Sequence, residues 1–390
     1  MTSYLIVGNG IAGTTAAEAI RNHDPNARIT ITSEEETPFY YRIRLNDFIG
    51  GDLKQEKLIA KNEQWYRDLN IDLRTSTRIM AIDHDARLAI TDLEEKIPYH
   101  KLLLATGSRS FLPPIIGTGL AGVFTLRTIA DAGAIVKYAE NSERVIIIGG
   151  GLLGLETGAA LLKRGKKVSV IEFAPRLLPR QLDNRGAARL QAIMEEMGFT
   201  FYLNSISKEI VGSDQGITEV ILEGGQSIAG QMVIISAGVR ANLDLARGLG
   251  LTCNKGIVVD DCMESNVPDI FAAGDVAEHR ETIYGIWASA MEQGKVAGIN
   301  MTDGEAFYDG TTMSNLLKVA GINLATAGNI DPEGRYEAKI FSSDNVYKKL
   351  VIDDNRIIGC IMLGDTKNFS TVNKYIRDKE EVGDLKRELL

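Results

Sequence analysis

The sequence predicts an α/β chain built on two open parallel sheets, each flanked by helices to give three layers. Three observations predict it. One unit, running apolar strand, glycine turn, helix, β-branched strand and acid, occurs twice with the same internal order. Glycine supplies 39 of the 390 residues, against only 9 prolines, so an excess over the typical ~7% comes without low complexity. The strand runs are apolar throughout rather than alternating, as suits strands buried on both faces.

In chain order, Tyr4-Leu5-Ile6-Val7 is the first strand and Gly8-Asn9-Gly10-Ile11-Ala12-Gly13 the turn after it. The alanine-rich run from Thr14 to Asn22 reads as a helix, and Ile29-Thr30-Ile31-Thr32 as a strand ending in Ser33-Glu34-Glu35. Gly8 permits the tight turn, Gly10 lets backbone approach a pyrophosphate, and Gly13 lets the helix close on the strand. The helix N-terminus offers free N–H groups to the phosphates. Glu34, or its neighbour Glu35, is placed to accept hydrogen bonds from ribose hydroxyls.

The second copy is Arg144-Val145-Ile146-Ile147-Ile148, then Gly149-Gly150-Gly151-Leu152-Leu153-Gly154, a helix from Leu155 to Lys163, and Val168-Ser169-Val170-Ile171 ending in Glu172. Both helices carry a small residue four positions past the last glycine, Ala17 and Gly158, on the face that meets the sheet. One such turn is weak evidence; two with one internal order are not coincidence. Glu172 favours the 2′-hydroxyl of NADH over the 2′-phosphate of NADPH. The alternative is that Arg176 reaches that phosphate. Two dinucleotide folds call for two dinucleotides: NADH as hydride donor and, most simply, FAD as acceptor.

Several classes are disfavoured. The length suits two or three domains. No apolar stretch reaches the ~18 uncharged residues of a membrane span, and the N-terminus runs straight into a strand with no signal-peptide pattern. A net charge of −9 speaks against nucleic acid as a partner. Cys253, Cys262 and Cys360 have no C-x-x-C spacing, and His23, His84, His100 and His279 lie far apart, so no metal site is expected. This cysteine usage suits a reducing, cytoplasmic setting.

Further segments carry a resemblance. Leu102-Leu103-Leu104-Ala105-Thr106-Gly107-Ser108, Val233-Ile234-Ile235-Ser236-Ala237-Gly238-Val239 and Ile270-Phe271-Ala272-Ala273-Gly274-Asp275-Val276-Ala277 are strands ending in turns or at an acid. With the two glycine turns, their order resembles the pyridine nucleotide–disulfide reductase-like flavoprotein family over about residues 1–310. The resemblance implies two Rossmann-like FAD/NAD(P)-binding domains. The FAD domain is expected at 1–109 and 241–310, with the NAD domain, 110–240, inserted. On the FAD side it implies Gly8, Gly10, Ile11, Ala12, Gly13, Glu34, Glu35, Arg42, Ile79, Ala105, Thr106, Gly107, Arg127, Gly274, Asp275, Ile286 and Trp287. On the NAD side it implies Gly149, Gly151, Leu152, Leu153, Gly154, Glu156, Glu172 and Gly238. Asp275 matches the aspartate that bonds the ribityl chain. The next helix, expected to begin within residues 284–290, aims its N-terminus at the flavin. Glu156 is either a contact to the nicotinamide carboxamide or an ordinary glutamate near a helix start.

Disulfide reductases and their peroxidase and oxidase relatives carry cysteine beside the flavin. Residues 37–47, Thr-Pro-Phe-Tyr-Tyr-Arg-Ile-Arg-Leu-Asn-Asp, contain none, so thiol chemistry is not expected. The stretch resembles the P-Y-Y-R-P-R-L-N segment of NADH:rubredoxin oxidoreductases, with Phe39 for tyrosine and Ile43 for proline. Asn46-Asp47 stands where ferredoxin reductases have serine-lysine. Leu316 to Ile322, Tyr347 to Ile352 and Asn355 to Ile361 resemble the small α+β C-terminal domain of rubredoxin reductases and of the flavin part of NADH-dependent nitrite reductases, placed here at 311–390. The implied activity is electron transfer from NADH through FAD to a rubredoxin or similar small iron protein. The alternatives are an NADH oxidase making peroxide and an NADH-sensing flavoprotein of slow turnover. Basic patches at Arg42, Arg44, Lys54, Lys57 and Lys61, or at Lys348, Lys349, Lys374 and Arg377, are candidates for docking an acidic partner. The chain is expected as a monomer or homodimer.

Overall fold

Sequence patterns of this kind fix which strands must be buried, and the computed structural model shows how. It describes residues 1–213, 216–311 and 314–381, the side chains of 314–317 excepted. The chain divides into two units. The first holds Met1–Arg42, Gln55–Arg109 and Val239–Thr311; the second holds Ile43–Lys54, Ser110–Gly238 and Thr312–Leu390. Of the region expected as a C-terminal domain, 312, 313 and 382–390 lie outside the described residues, as do the side chains of Leu316 and Leu317.

In the first unit a five-stranded parallel sheet runs Ile270–Ala272, Lys101–Leu104, Ser3–Val7, Arg28–Thr32, Ile71–Arg74. Its central strands are almost wholly buried: Leu5, Ile6, Ile31, Leu102, Leu103 and Ile270 expose nothing or next to nothing. That explains the unbroken apolar runs. The helices Ile11–His23 and Trp287–Met301 pack together in this unit. Their crossing is tight, because a Cβ on Gly294 or Gly298 would run into the carbonyls of Ala12 and Ala16. A three-stranded antiparallel sheet, Ile79–Asp83, Leu88–Thr91 and Lys96–Pro98, joins the same unit.

The second unit repeats the pattern. Its parallel sheet runs Phe199–Tyr202, Lys167–Ile171, Arg144–Ile148, Met232–Ile235, Val123–Phe124. Helix Leu152–Lys163 follows the second glycine turn, and helix Asn184–Glu196 is capped by Asp183, which accepts the Gly186 amide at 2.9 Å. The segment Ile43–Lys54 contributes a short helix, Leu45–Gly50, which packs on Leu152–Lys163. Its ties are an ion pair of Asp52 with Lys163 and a hydrogen bond from Arg164 to the Ile49 carbonyl.

A five-stranded antiparallel sheet also belongs to this unit, in the order Ser314–Val319, Ile322–Gly328, Arg356–Leu363, Tyr347–Asp353, Glu337–Ser342. Helix Phe369–Asp378 covers it. Two side chains expected on a docking patch are instead inside. Lys348 is 3% exposed and paired with Asp365 at 2.7 Å. Lys349 is 4% exposed, bonded to the carbonyls of Ile330 and Asp331 and 3.3 Å from Asp183. Their alkyl stems fill the strand and their ammonium groups find fixed oxygens, which a charge count along the sequence does not reveal. Among the described residues no helix is long and apolar enough to cross a membrane, and no cluster of three or more His, Cys, Asp or Glu could hold a metal ion.

Candidate functional site

The first glycine turn is shaped by its own backbone. Gly8 has φ +118°, and a Cβ there would overlap the Ala105 carbonyl. A Cβ on Gly13 would overlap the Gly8 carbonyl. Both therefore need glycine for packing as well as for conformation. Gly10 differs: a Cβ there meets nothing within 4 Å. It precedes helix Ile11–His23, and no side chain caps that helix. Open space beside Gly10 and a helix start without a side-chain cap are the arrangement an anionic pyrophosphate fills. Ile11 and Ala12 form the start of that helix.

Polar atoms beside this turn await a partner. The Asn9 amide nitrogen and the Thr32 hydroxyl are buried with none, a costly state if nothing fills the cradle. Asn9 is held in place, since its carbonyl oxygen accepts the Tyr66 hydroxyl at 2.8 Å, and that hydroxyl accepts the Phe39 amide at 3.2 Å. Thr32 lies next to the turn, its carbonyl accepting the Gly8 amide at 2.9 Å. These residues fit a dinucleotide.

The expected acids differ from each other. Glu34 is 69% exposed and pairs with Arg78 at 3.3 Å. Glu35 points inward: it accepts the Tyr40 hydroxyl at 2.6 Å and Arg42 at 2.8 Å. Arg42 also stands over the Tyr40 ring. Thr106 and Asn242 tie the two long connections of this unit together, Thr106 Oγ1 donating to the Asn242 carbonyl and Asn242 Nδ2 to the Thr106 carbonyl, at 3.1 and 2.8 Å. Ala105 and Gly107 flank that tie. Asp275, after Gly274, accepts Ser108 Oγ at 2.8 Å. Helix Trp287–Met301 begins on Ile286 with no side-chain cap, and Trp287 stacks on Tyr41 and lies against Phe39. Ile79 is packed in the core, so what it offers a ligand is backbone.

The second turn repeats the geometry. Gly149 has φ +117°, and a Cβ there would overlap the Ser236 carbonyl, while one on Gly154 would overlap the Gly149 carbonyl. A Cβ on Gly151 meets nothing within 4 Å, and the helix beginning at Leu152 is again uncapped. Glu172 is 5% exposed and accepts the Gly150 amide at 2.5 Å and the Ala174 amide at 2.8 Å. Each carboxylate oxygen keeps a second lone pair for a ribose hydroxyl. Arg176 is turned to its own loop, donating to the carbonyls of Leu182 and Pro179 and to Asn184 Oδ1. Gly238, φ +95°, also faces open space. Arg127, expected on the FAD side, belongs to this second unit, and its amide donates to Asp131 at 2.9 Å.

Glu156 stands on the second turn of helix Leu152–Lys163. Burial pushes its carboxyl up to about 7, against one favourable hydrogen bond from Asn46 and with Asp47 adding to the rise. Asn46 Nδ2 donates to Glu156 Oε2 at 3.3 Å.

The chain matches known proteins. The family model for pyridine nucleotide-disulphide oxidoreductases fits residues 2–294. The chain belongs to that family. A second model, the rubredoxin NAD+ reductase C-terminal domain, fits residues 314–380. The nitrite reductase [NAD(P)H] of Bacillus subtilis is 36% identical over 384 residues, covering 97% of this chain and 48% of the relative. The NADH-rubredoxin oxidoreductase of Clostridium acetobutylicum is 32% identical, covering 96% of this chain and 94% of the relative. The crystal structure of NADH:rubredoxin oxidoreductase from Clostridium acetobutylicum superposes with TM-score 0.85 at 30% identity, covering 98% and 97% of the two chains. The chain spans about half the length of the nitrite reductase it matches.

The pyridine nucleotide-disulphide oxidoreductases matched here are NAD(P)H-dependent flavoproteins, and membership with NADH-dependent relatives implies FAD and NADH as cofactors. For this family member the sequence pointed to the glycines, Glu172 and Asp275, whose types and spacings are dictated by the turn. It missed Asn9, Tyr66 and Ser108, whose hydrogen-bond partners are distant in sequence, and Thr32, whose buried hydroxyl has no partner. Phe173, directly after Glu172, is an apolar ring left 74% exposed.

Proposed function

We propose that this protein takes a hydride from NADH onto FAD and passes the electrons to a rubredoxin-like iron protein. The observation that carries the reading is the pair of open glycine cradles in a chain with no thiol relay. Residues 37–47 hold no cysteine, and burial raises the Cys253 and Cys262 thiols and pushes Cys360 up to about 12. Bound FAD supplies an acceptor of hydride that can release electrons singly.

The chain's own residues bind and orient. The uncapped amides after Gly10 and Gly151 hold the two pyrophosphates. Glu172 receives the ribose of NADH, and Arg176, occupied by its own loop, is not offered to a 2′-phosphate. Asp275, steadied by Ser108, faces the FAD chain, with the Glu35–Arg42 ion pair near it. Hydride transfer needs alignment more than proton transfer, which suits a site of backbone cradles. For an acidic partner, Lys54 and Lys57 remain exposed.

The test is stopped-flow mixing of the purified yellow protein with NADH under anaerobic conditions, with and without an added rubredoxin. Rapid bleaching followed by rubredoxin-dependent reoxidation is expected. Reoxidation only on admitting air would assign an oxidase instead, and a bleached flavin that reoxidises slowly with every acceptor would assign a sensor.

A further inference from the structure

Asn46 lies in the segment Ile43–Lys54, which the chain lends to the second unit. Its side chain bridges two residues of the helix that follows the second glycine turn. Nδ2 donates to Glu156 Oε2 at 3.3 Å, and Oδ1 accepts Thr157 Oγ1 at 2.9 Å. The Thr157 hydroxyl also lies 2.7 Å from the Leu153 carbonyl, so the amide is keyed to the first turn of the helix. Helical side chains lean toward the N-terminus, which carries the Glu156 carboxyl toward the open side of the turn.

We infer that Asn46 is a positioning residue for the nicotinamide half of the dinucleotide: its amide, bridging Glu156 and Thr157, holds the Glu156 carboxyl where the nicotinamide end of NADH binds. This rests on the reading of the second turn as an NADH cradle. An amide holds a carboxyl in place without supplying the positive charge that would keep it ionised.

Among the described residues Glu156 forms no ion pair. On the Leu45–Gly50 helix the charged residue near it is Asp47, itself paired with Arg44 at 2.9 Å. Lys163 and Arg164, at the far end of its own helix, are bound to Asp52 and the Ile49 carbonyl. Arg144 and Lys167 begin the two packed strands, at the edge of the sheet away from the turn. Strand Ser314–Val319 brings Lys318, which is exposed. All four histidines fall in the first unit. Burial therefore holds the Glu156 carboxyl near neutrality, at about 7.

The experiment is calorimetric titration of the FAD-loaded protein with NAD+ and, separately, with ADP-ribose, from about pH 5.5 to about 8.5, a range that brackets the raised carboxyl. NAD+ carries a cationic ring, so its affinity rises as Glu156 ionises, with a midpoint near 7. ADP-ribose lacks that ring and stays flat. Asn46→Ala removes a bond to the ionised form and moves the NAD+ midpoint upward. Asn46→Lys supplies a cation and moves it down by about 1–3 units. Glu156→Gln abolishes the pH dependence.

Equal profiles for NAD+ and ADP-ribose in the unaltered protein would overturn the placement of Glu156. A midpoint unmoved in both folded Asn46 variants would overturn the role of Asn46. Failure of both ligands to bind at any pH removes the cradle reading itself, and this inference with it.

Discussion

A glutamate held by an amide, with no ion pair among the described residues, makes the stability of the protein depend on pH in a definite direction. Glu156 is raised from 4.5 to about 7. Below about pH 4.5 the carboxyl is protonated in both states. Between there and about 7 the unfolded chain gives up its proton while the folded chain keeps it. Stability falls as pH rises through that window, by up to about 3 kcal/mol. Denaturant midpoints at several pH values check this: Glu156→Gln should lack that fall and gain on the parent protein as pH rises. Glu172 makes a second prediction at this scale. Glu172→Ala takes away the carboxylate that accepts the Gly150 and Ala174 amides. NADH should bind about tenfold more weakly, a loss on the scale of about 1.5 kcal/mol for hydrogen bonds to a charged group, while the ratio of NADPH to NADH affinity rises. Equal weakening of both nucleotides would mean that Glu172 serves the turn alone. Such residues were legible in the sequence because the turn dictates their type. Asn9 and Asn46 were not, since each works through a side chain more than fifty positions away, Tyr66 for one and Glu156 for the other.

At the level of elements, the helices Ile11–His23 and Trp287–Met301 each begin without a side-chain cap. They cross where Gly294 and Gly298 meet Ala12 and Ala16. The crossing positions both helix starts at once. Gly294→Ala puts a methyl group into the Ala12 carbonyl, costing about 1–3 kcal/mol through forced separation. Flavin content per mole of purified protein should drop with the thermal midpoint, and restored flavin at unchanged midpoint would contradict this. The first helix was readable from its turn, although it begins at Ile11 rather than Thr14. The second begins at Trp287, inside the expected window, but nothing local marked its start, because Ile286 offers no capping side chain. The Leu45–Gly50 helix has six residues, too few to show a period. Packing against a partner far along the chain, not local pattern, sets it.

For the whole chain, one buried polar cluster joins the antiparallel sheet to the helix Asn184–Glu196 within the second unit. Tyr347 donates to Asp183 at 2.7 Å and Lys349 stands 3.3 Å from the same oxygen. Burial and Asp183 together raise the Tyr347 phenol. Asp183→Ala strips a helix cap and takes a carboxylate from a buried ammonium that keeps its bonds to the Ile330 and Asp331 carbonyls, so it should cost about 3 kcal/mol. Asp183→Asn combined with Lys349→Met should cost less, and urea denaturation of the two variants orders them. The order of motifs along the chain made the family legible. It did not reveal the crossing of Ile43–Lys54 into the second unit, because nothing in composition distinguishes those twelve residues from their neighbours. That crossing governs where the gene can be cut. A fragment begun at Ser110 lacks the strip that covers Leu152–Lys163. A chimera joined at Arg109 grafts a foreign strip onto it, with Asn46 and its carboxyl drawn from different parents. Recombination that respects this molecule has to exchange Ile43–Lys54 together with the second unit, as a patch inside the coding sequence of the first.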